Sequence, residues 1–389
     1  MDKYKICVLT ATRAEFGLLR PVIEKLIQKN IFDVRIVVTG MHLSAEFGMT
    51  YHEIESAGFK IDRKIDMLLS GDSTAAVAKS MGVAMISFAD YFAETKPDIL
   101  LAIADRYETL AVCTTAMVER IPIVHLMGGE TSEGAIDECI RHSITKMSAL
   151  HFCCTEEYRK RIIQLGENPD TVFNVGSTGV ENIKKLDLFD ESKIRNFLGL
   201  DVDEKYAVMT FHPVTLENDT ADGQINQLLA ACADRKDITF IVTKANCDAA
   251  GRLVNERVAE YAETHKNIRL YDSLGNIRYL SAVKYADFVI GNSSSGLLEA
   301  PSFQIPTINI GDRQKGRMRA DSVIDTDNDT RSILEAIEKA ENSEFRISLK
   351  DVKNPYEGRN TSTEIADGIE KALMEKKIHL KKTFYNLQF

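Results

Sequence analysis

Ala286-Asp287-Phe288-Val289-Ile290-Gly291-Asn292-Ser293-Ser294-Ser295-Gly296-Leu297-Leu298-Glu299 joins a short apolar run to a helical pattern through a turn of small hydroxyl residues. The apolar run reads as a buried strand, and the pattern after it as a helix. The first N–H groups of a helix lack intrahelical partners, and its dipole favours negative charge there. The turn therefore predicts an anion cradle in which Ser293, Ser294, Ser295 and Gly296 hold phosphate. Glu299, a turn further on, is placed to accept bonds from a neutral polar group such as a ribose. A serine N-cap opening an ordinary helix explains the same residues, so the rest of the chain has to decide.

Outward from this turn, strands and helices alternate along the whole chain. In the N-terminal half the predicted strands are Ile6–Thr10, Val34–Thr39, Asp98–Ala104, Pro122–Leu126 and Leu150–Thr155. Between them the pattern predicts helices over Gly17–Lys29, Ser44–Ala57, Thr74–Thr95, Thr109–Glu119 and Asp137–Ser148. In the second half, strands at Tyr206–Thr210, Ile238–Thr243, Ile268–Tyr271, Phe288–Ile290 and Thr307–Ile310 alternate with helices around Ile225–Ala233, Ala250–Tyr261, Asn276–Val283 and Leu297–Ala300. Ser362–Lys377 predicts a last helix with Ile365, Ile369 and Leu373 on one face. Such alternation implies parallel sheets covered by helices on both faces. The fold class is α/β, with two Rossmann-like doubly wound domains facing a central cleft. The boundaries are 1–178 and 179–364, followed by a C-terminal helix and tail, 365–389. No G-x-G-x-x-G is present, so a bound dinucleotide is not predicted.

The 389 residues carry a net charge of −10, which argues against nucleic acid as a partner and requires local donors for any anion. The seven cysteines show no C-x-x-C spacing, and Cys7, Cys113, Cys153 and Cys154 sit in apolar runs. They read as buried free thiols in a reducing, cytoplasmic setting. The N-terminus runs into a strand without a signal-peptide pattern, and the apolar runs are too short to span a bilayer. The basic tail from Lys376 to Lys382 reads as a solvated helix end rather than a membrane contact.

In doubly wound sheets, ligands sit beyond the C-terminal ends of the strands. Polar residues recur there in phase: Thr12-Arg13, Gly40-Met41-His42, Asp105-Arg106, Gly128-Gly129-Glu130, Phe211-His212-Pro213, Lys244-Ala245-Asn246, Asn292-Ser293-Ser294 and Gly311-Asp312-Arg313. Capping alone does not explain so many in register. The balance for the 291–296 turn moves to nucleotide binding.

Several strings together resemble the UDP-N-acetylglucosamine 2-epimerases. They include Thr12-Arg13-Ala14-Glu15-Phe16-Gly17, Asp105-Arg106-Tyr107-Glu108, His125-Leu126-Met127-Gly128-Gly129-Glu130, Arg141-His142-Ser143-Ile144-Thr145-Lys146, Phe211-His212-Pro213 and Gly311-Asp312-Arg313-Gln314-Lys315-Gly316-Arg317. The resemblance runs from Lys5 to Gly368 and points to the hydrolysing branch, which makes free N-acetylmannosamine and UDP for sialic-acid synthesis. It implies a GT-B-type fold whose last helix packs back on the first domain. It also implies a homo-oligomer, dimer or tetramer, in keeping with the apolar stretch Ser73–Thr95.

The resemblance implies elimination of the nucleotide to a glycal, then hydration, with no redox cofactor or essential metal. Arg13, His212, the 293–296 turn and Arg313 would cradle the departing pyrophosphate, which suits the planar fork of arginine. Asp105, Glu130 and Asp137 would do the acid/base work, with His212 as acid assistance. Asp105 also reads as a helix cap, and Asp137 as an ordinary helical partner of Arg141. Arg106 and Arg141 are expected at the substrate, His42 on its sugar side, and Asn246, with Lys244, at the uracil or ribose. One departure stands out: Met127 occupies a place where relatives carry a carboxylate. Either Glu130 has taken over, or Asp105 and Asp137 act alone. Ala104 stands where relatives often have Gly, and Leu18 where some have a basic residue. The runner-up substrate is a UDP-diacetamido trideoxy sugar of the legionaminic-acid type. A non-hydrolysing epimerase, a GT-B glycosyltransferase and a binding module are the further alternatives.

Overall fold

A computed structural model describes residues 3–71, 73–214, 216–217, 220–246 and 250–387. The chain forms two compact units. Unit 1 holds Met1–Glu130, Asp137–Asn182 and Tyr356–Phe389; unit 2 holds Thr131–Ile136 and Ile183–Pro355.

Unit 1 is built on a seven-stranded sheet. Its strands are β1 (Tyr4–Thr10), β2 (Phe32–Thr39), β3 (Ile61–Ile65), β4 (Ile99–Ile103), β5 (Ile123–Leu126), β6 (Leu150–Cys153) and β7 (Val172–Asn174). Their order is β3-β2-β1-β4-β5-β6-β7, and every pairing is parallel. The central strand β4 is the unbroken apolar run Ile-Leu-Leu-Ala-Ile, buried throughout, as helices on both faces require. β3 escapes sequence reading because Asp62, Arg63 and Lys64 are exposed at the sheet edge.

Unit 2 contains β8 (Lys205–Thr210), β9 (Ile238–Thr243), β10 (Ile268–Tyr271), β11 (Phe288–Gly291), β12 (Thr307–Ile310) and β13 (Val323–Thr326). The order is β10-β9-β8-β11-β12-β13, again all parallel. Phe240, Phe288, Ile290 and Ile308 from this sheet form a buried core with Ile225, Leu228 and Ile337 from the covering helices. In both sheets the chain winds outward in one direction and then returns to wind in the other. The reversals lie between β1 and β4 and between β8 and β11, the places where such sheets open a crevice.

The predicted Thr74–Thr95 helix forms over those residues and ends at Lys96, which adopts a left-handed conformation. Its apolar surface is divided: Phe88 is fully buried, whereas Ile86 is 71% exposed. The predicted Ser44–Ala57 helix is a correction. Positive φ at Gly48 and Met49 breaks it into a short 3-10 turn, Ala45–Phe47, and a helix, Tyr51–Ser56. The Thr361–Met374 helix belongs to unit 1 and packs on the Arg13–Gln28 helix. In the basic tail Lys376, Lys377 and Lys381 are exposed, as a solvated end requires, but Lys382 Nζ reaches the buried Glu167 carboxylate at 2.7 Å and the carbonyls of Lys146 and Ser148. All described cysteines are free thiols, with Cys139 the exposed one; Cys247 lies outside the described residues. Among the described residues, no helix is long and apolar enough to cross a membrane.

Candidate functional site

In unit 2 the strand-end residues gather at the β8/β11 reversal. Gly291 ends β11 with φ +132°, and a Cβ there would stand 2.0 Å from the Thr210 carbonyl oxygen. Glycine is therefore required for β11 to run this close to β8. The next residue, Asn292, is fully buried and clasps the end of β8. Its Oδ1 accepts the His212 N–H at 2.7 Å, and its Nδ2 donates to the His212 carbonyl at 2.7 Å. The Asn292 carbonyl accepts Arg313 Nη1 at 3.1 Å and Gln314 Nε2 at 2.8 Å. One buried asparagine thus registers His212, the serine turn and Arg313 against each other.

His212 is 7% exposed, and its Nδ1 accepts the Asn246 N–H at 3.4 Å. A neutral ring so held carries its proton on Nε2, which can donate to an anion. Asn246 therefore orients His212 through its backbone. Arg313 Nε is buried with no protein partner among the described residues. A buried donor left this way is costly unless a ligand satisfies it, which fits phosphate oxygens. Glu299 is partly buried, and burial raises its carboxyl above the ordinary range, with the Ser295 hydroxyl opposing. Gly296 lies against β12: its carbonyl accepts the Thr307 hydroxyl at 2.8 Å. The helix expected here is a correction. It spans only Ser295–Leu298, and a 3-10 turn with Pro301 follows. One turn sums to little macrodipole, so spare side-chain donors, not the dipole, make this place suitable for an anion.

In unit 1 the centre is Arg141, in the Asp137–Met147 helix and fully buried. Its Nη2 donates to Asp105 Oδ2, and its Nη1 to the Glu130 carbonyl at 2.9 Å and to Glu138 Oε2 at 3.0 Å. The guanidinium ties the end of β4, the segment after β5 and its own helix into one cluster. This corrects its expected place as a substrate ligand: it has no exposed surface. Asp105 keeps 13% of its side chain exposed. The helix that follows starts at Tyr107, with Arg106 rather than Asp105 at the N-cap position. Glu130 is 1% exposed, and Asp137 is partly buried as the first residue of its helix.

His125 supports the cluster from below. Its Nε2–H donates to the Ala104 carbonyl at 2.8 Å, and Thr145 Oγ1 donates to its Nδ1 at 3.2 Å. Burial pushes its pKa down to about 3, so the ring stays neutral. Ala104 and Met127 have φ +60° and +62°, a left-handed geometry that re-aims the chain just before Asp105 and Gly128. This explains why glycine suits position 104.

At the β1/β4 reversal, Thr12 and Glu15 form a capping box at the start of the Arg13–Gln28 helix. Glu15 Oε2 accepts the N–H groups of Ala11 at 2.7 Å and Thr12 at 3.0 Å. Burial pushes its pKa up to about 7; Arg106 opposes this and Glu108 adds to it. Arg106 is held by the buried Glu108 through two bonds of 3.1 Å, and Arg13 is partly exposed at the first helical position. His42 is a second correction. It is fully buried, with Nε2 2.9 Å from Thr10 Oγ1 and Nδ1 2.8 Å from Thr50 Oγ1, so it braces β1 internally and does not line a sugar site. Burial lowers its pKa to about 4. Sequence reasoning missed the roles of Glu138 and Glu15, and placed Asn292 at a strand end without giving it its bridging role. The spacing Glu138-x-x-Arg141 and the Thr12-x-x-Glu15 capping pattern were the available signals.

Two doubly wound units with polar strand ends define a GT-B-type α/β protein. A family model described as UDP-N-acetylglucosamine 2-epimerase matches residues 24–370. The chain belongs to this family. It is 44% identical over 348 residues (89% of this chain, 90% of the relative) to the GDP/UDP-N,N'-diacetylbacillosamine 2-epimerase (hydrolyzing) of Campylobacter jejuni. It is 38% identical over 384 residues (98% and 97%) to the polysialic acid biosynthesis protein P7 of Escherichia coli. It is 36% identical over 338 residues (87% and 89%) to the UDP-N,N'-diacetylbacillosamine 2-epimerase (hydrolyzing) of Legionella pneumophila. Its fold is shared with the crystal structure of the Neisseria meningitidis UDP-GlcNAc 2-epimerase bound to UDP-GlcNAc, at TM-score 0.78, 18% identity, and coverage of 95% of this chain and 100% of that one.

Proposed function

We propose that this chain is a hydrolysing 2-epimerase of UDP-sugars. The observation that carries the reading is the unit 2 cluster, where Arg313 Nε stands buried without a protein partner among the described residues, on the loop that Asn292 ties to His212. Such donors suit the oxygens of a departing diphosphate. Their bonds strengthen as charge builds on the leaving group, so they favour the transition state over the bound substrate. Arg13, Asn246 and Glu299 would complete the hold on the nucleotide.

The proton chemistry falls to Asp105, Glu130 and Asp137. The carbon 2 proton of the sugar goes to a carboxylate, the carbon 1–oxygen bond breaks with its electrons going to UDP, and a carbon 1–carbon 2 double bond forms. Water then adds its oxygen to carbon 1, while an acid delivers a proton to the other face of carbon 2. Arg141 ties Asp105 and the Glu130 backbone carbonyl into one cluster.

The relatives at 44% and 36% support a 2,4-diacetamido-2,4,6-trideoxy sugar on the UDP. The second reading, UDP-N-acetylglucosamine giving N-acetylmannosamine, is favoured by the family description and by the 38% relative in polysialic acid synthesis. Both activities release UDP. A coupled assay of UDP release with each sugar nucleotide tests the proposal. A kcat/KM at least about tenfold higher for the diacetamido trideoxy sugar supports the first substrate. The reverse ratio supports the second, and no UDP release from either contradicts the function.

A further inference from the structure

The segment Thr131–Ile136 lies in the sequence between Glu130 and Asp137, yet it belongs to unit 2, while both carboxylate residues belong to unit 1. It packs on the loop that carries Arg313. The Glu133 N–H donates to the Lys315 carbonyl at 3.2 Å, and Lys315 Nζ stands 3.5 Å from Glu133 Oε2. Gly134 is buried so tightly that a Cβ would meet Arg313 Cα at 3.0 Å and the Asp312 carbonyl at 3.1 Å. A Cβ on Gly316 would meet Thr131 Cγ2 at 2.3 Å. Thr131, Ser132 and Ala135 are buried as well. The same Arg313 loop is held from its other side by the Asn292 carbonyl. A continuous set of close contacts therefore runs from the serine turn, through Asn292 and Arg313, to Gly134. From there it continues covalently to Glu130, four residues away on one side, and Asp137, three residues away on the other.

We propose that the 131–136 segment, with Gly134 as its positioning residue, links occupancy of the diphosphate cradle to the placement of Glu130 and Asp137. The inference rests on the function proposed above. A diphosphate that satisfies Arg313 fixes the Arg313 loop, and the segment seated on that loop fixes the two chain ends that bear the carboxylates. Acid/base geometry is then completed only when the leaving group is in place. That would keep the carboxylates from acting on a sugar whose nucleotide is not held, because only the state with the loop engaged is favoured by the ligand.

The test begins with UDP binding to the full chain by calorimetry. Absence of binding sinks the proposed function itself, and with it this inference. Given binding, amide hydrogen exchange of the wild-type protein with and without UDP is decisive. The expected result is slower exchange across 131–136 and the first turn of the Asp137–Met147 helix. Protection confined to 291–299 and 312–316 overturns the proposal while leaving UDP binding intact. Gly134→Ala adds a kinetic arm. A methyl there forces the segment off the Arg313 loop by a few tenths of an ångström, and kcat is expected to fall about 100-fold while the UDP dissociation constant changes less than about threefold. A kcat within about twofold of wild type, or an equal loss of UDP affinity and kcat, overturns it. Should that variant fail to fold, the exchange measurement on the wild type still decides.

Discussion

Arg141 shows how one side chain can organise a site it does not expose. Its guanidinium serves Asp105, the Glu130 carbonyl and Glu138 at once. Arg141→Met would leave Asp105 and the carbonyl without their buried donor, and should lower unfolding stability by about 3 kcal/mol in a denaturant titration. Asp105→Asn keeps the shape but removes a proton acceptor. It is expected to lower kcat at least about 100-fold with UDP affinity retained, measured by steady-state kinetics and calorimetry. Glu15 gives a pH signature. Its folded pKa of about 7 lies above the unfolded value of 4.5, so the folded state holds its proton more tightly. That contribution to stability is fully present below about 4.5 and is lost as pH rises through 7, by up to about 3 kcal/mol. Stability measured against pH should show this decline in the wild type and a flatter profile in Glu15→Gln.

At the level of elements, the serine turn was legible in its residues but not in its length. Gly291–Gly296 announced a strand end and a polar turn. The helix after it is a single turn, because Pro301 follows within six residues of Ser295 and diverts the chain into a 3-10 turn. Arg313 is joined to this turn and to His212 through the long-range bonds of Asn292, which no local pattern reveals. Edge strand β3 was illegible for a different reason: its exposed Asp62-Arg63-Lys64 lacks apolar alternation. In the C-terminal tail Lys376, Lys377 and Lys381 are solvated, but the anchoring of Lys382, which with Lys146 bonds the buried Glu167, was not legible in its charge. Burial alone would raise Glu167, but bonds from His151, Lys146 and Lys382 outweigh it and hold the carboxyl at about 2. Lys382→Ala should therefore loosen the tail, seen as faster hydrogen exchange at Tyr385, whose N–H bonds the Gly166 carbonyl.

Across the whole molecule, the plan of two parallel sheets was legible because buried parallel strands are continuous apolar runs separated by helical patterns. The division of the chain was less so: Thr131–Ile136 joins unit 2 from within the sequence of unit 1, and the return of the last helix to unit 1 was expected from the family resemblance alone. Such long-range placement depends on packing, not on local pattern. Each sheet reverses its winding once, and each reversal collects polar strand ends: donors for an anion in unit 2, carboxylates and their arginines in unit 1. The account assigns leaving-group binding to the first set and proton transfer at carbon 2 to the second. The most direct test of that claim is proton NMR of the reaction in deuterated water, with UDP-N-acetylglucosamine and its diacetamido trideoxy counterpart as substrates. The account predicts free sugar inverted at carbon 2, carrying one deuterium there, together with an equal amount of UDP. A sugar still attached to UDP, or a free sugar whose carbon 2 retains its original proton, would contradict it.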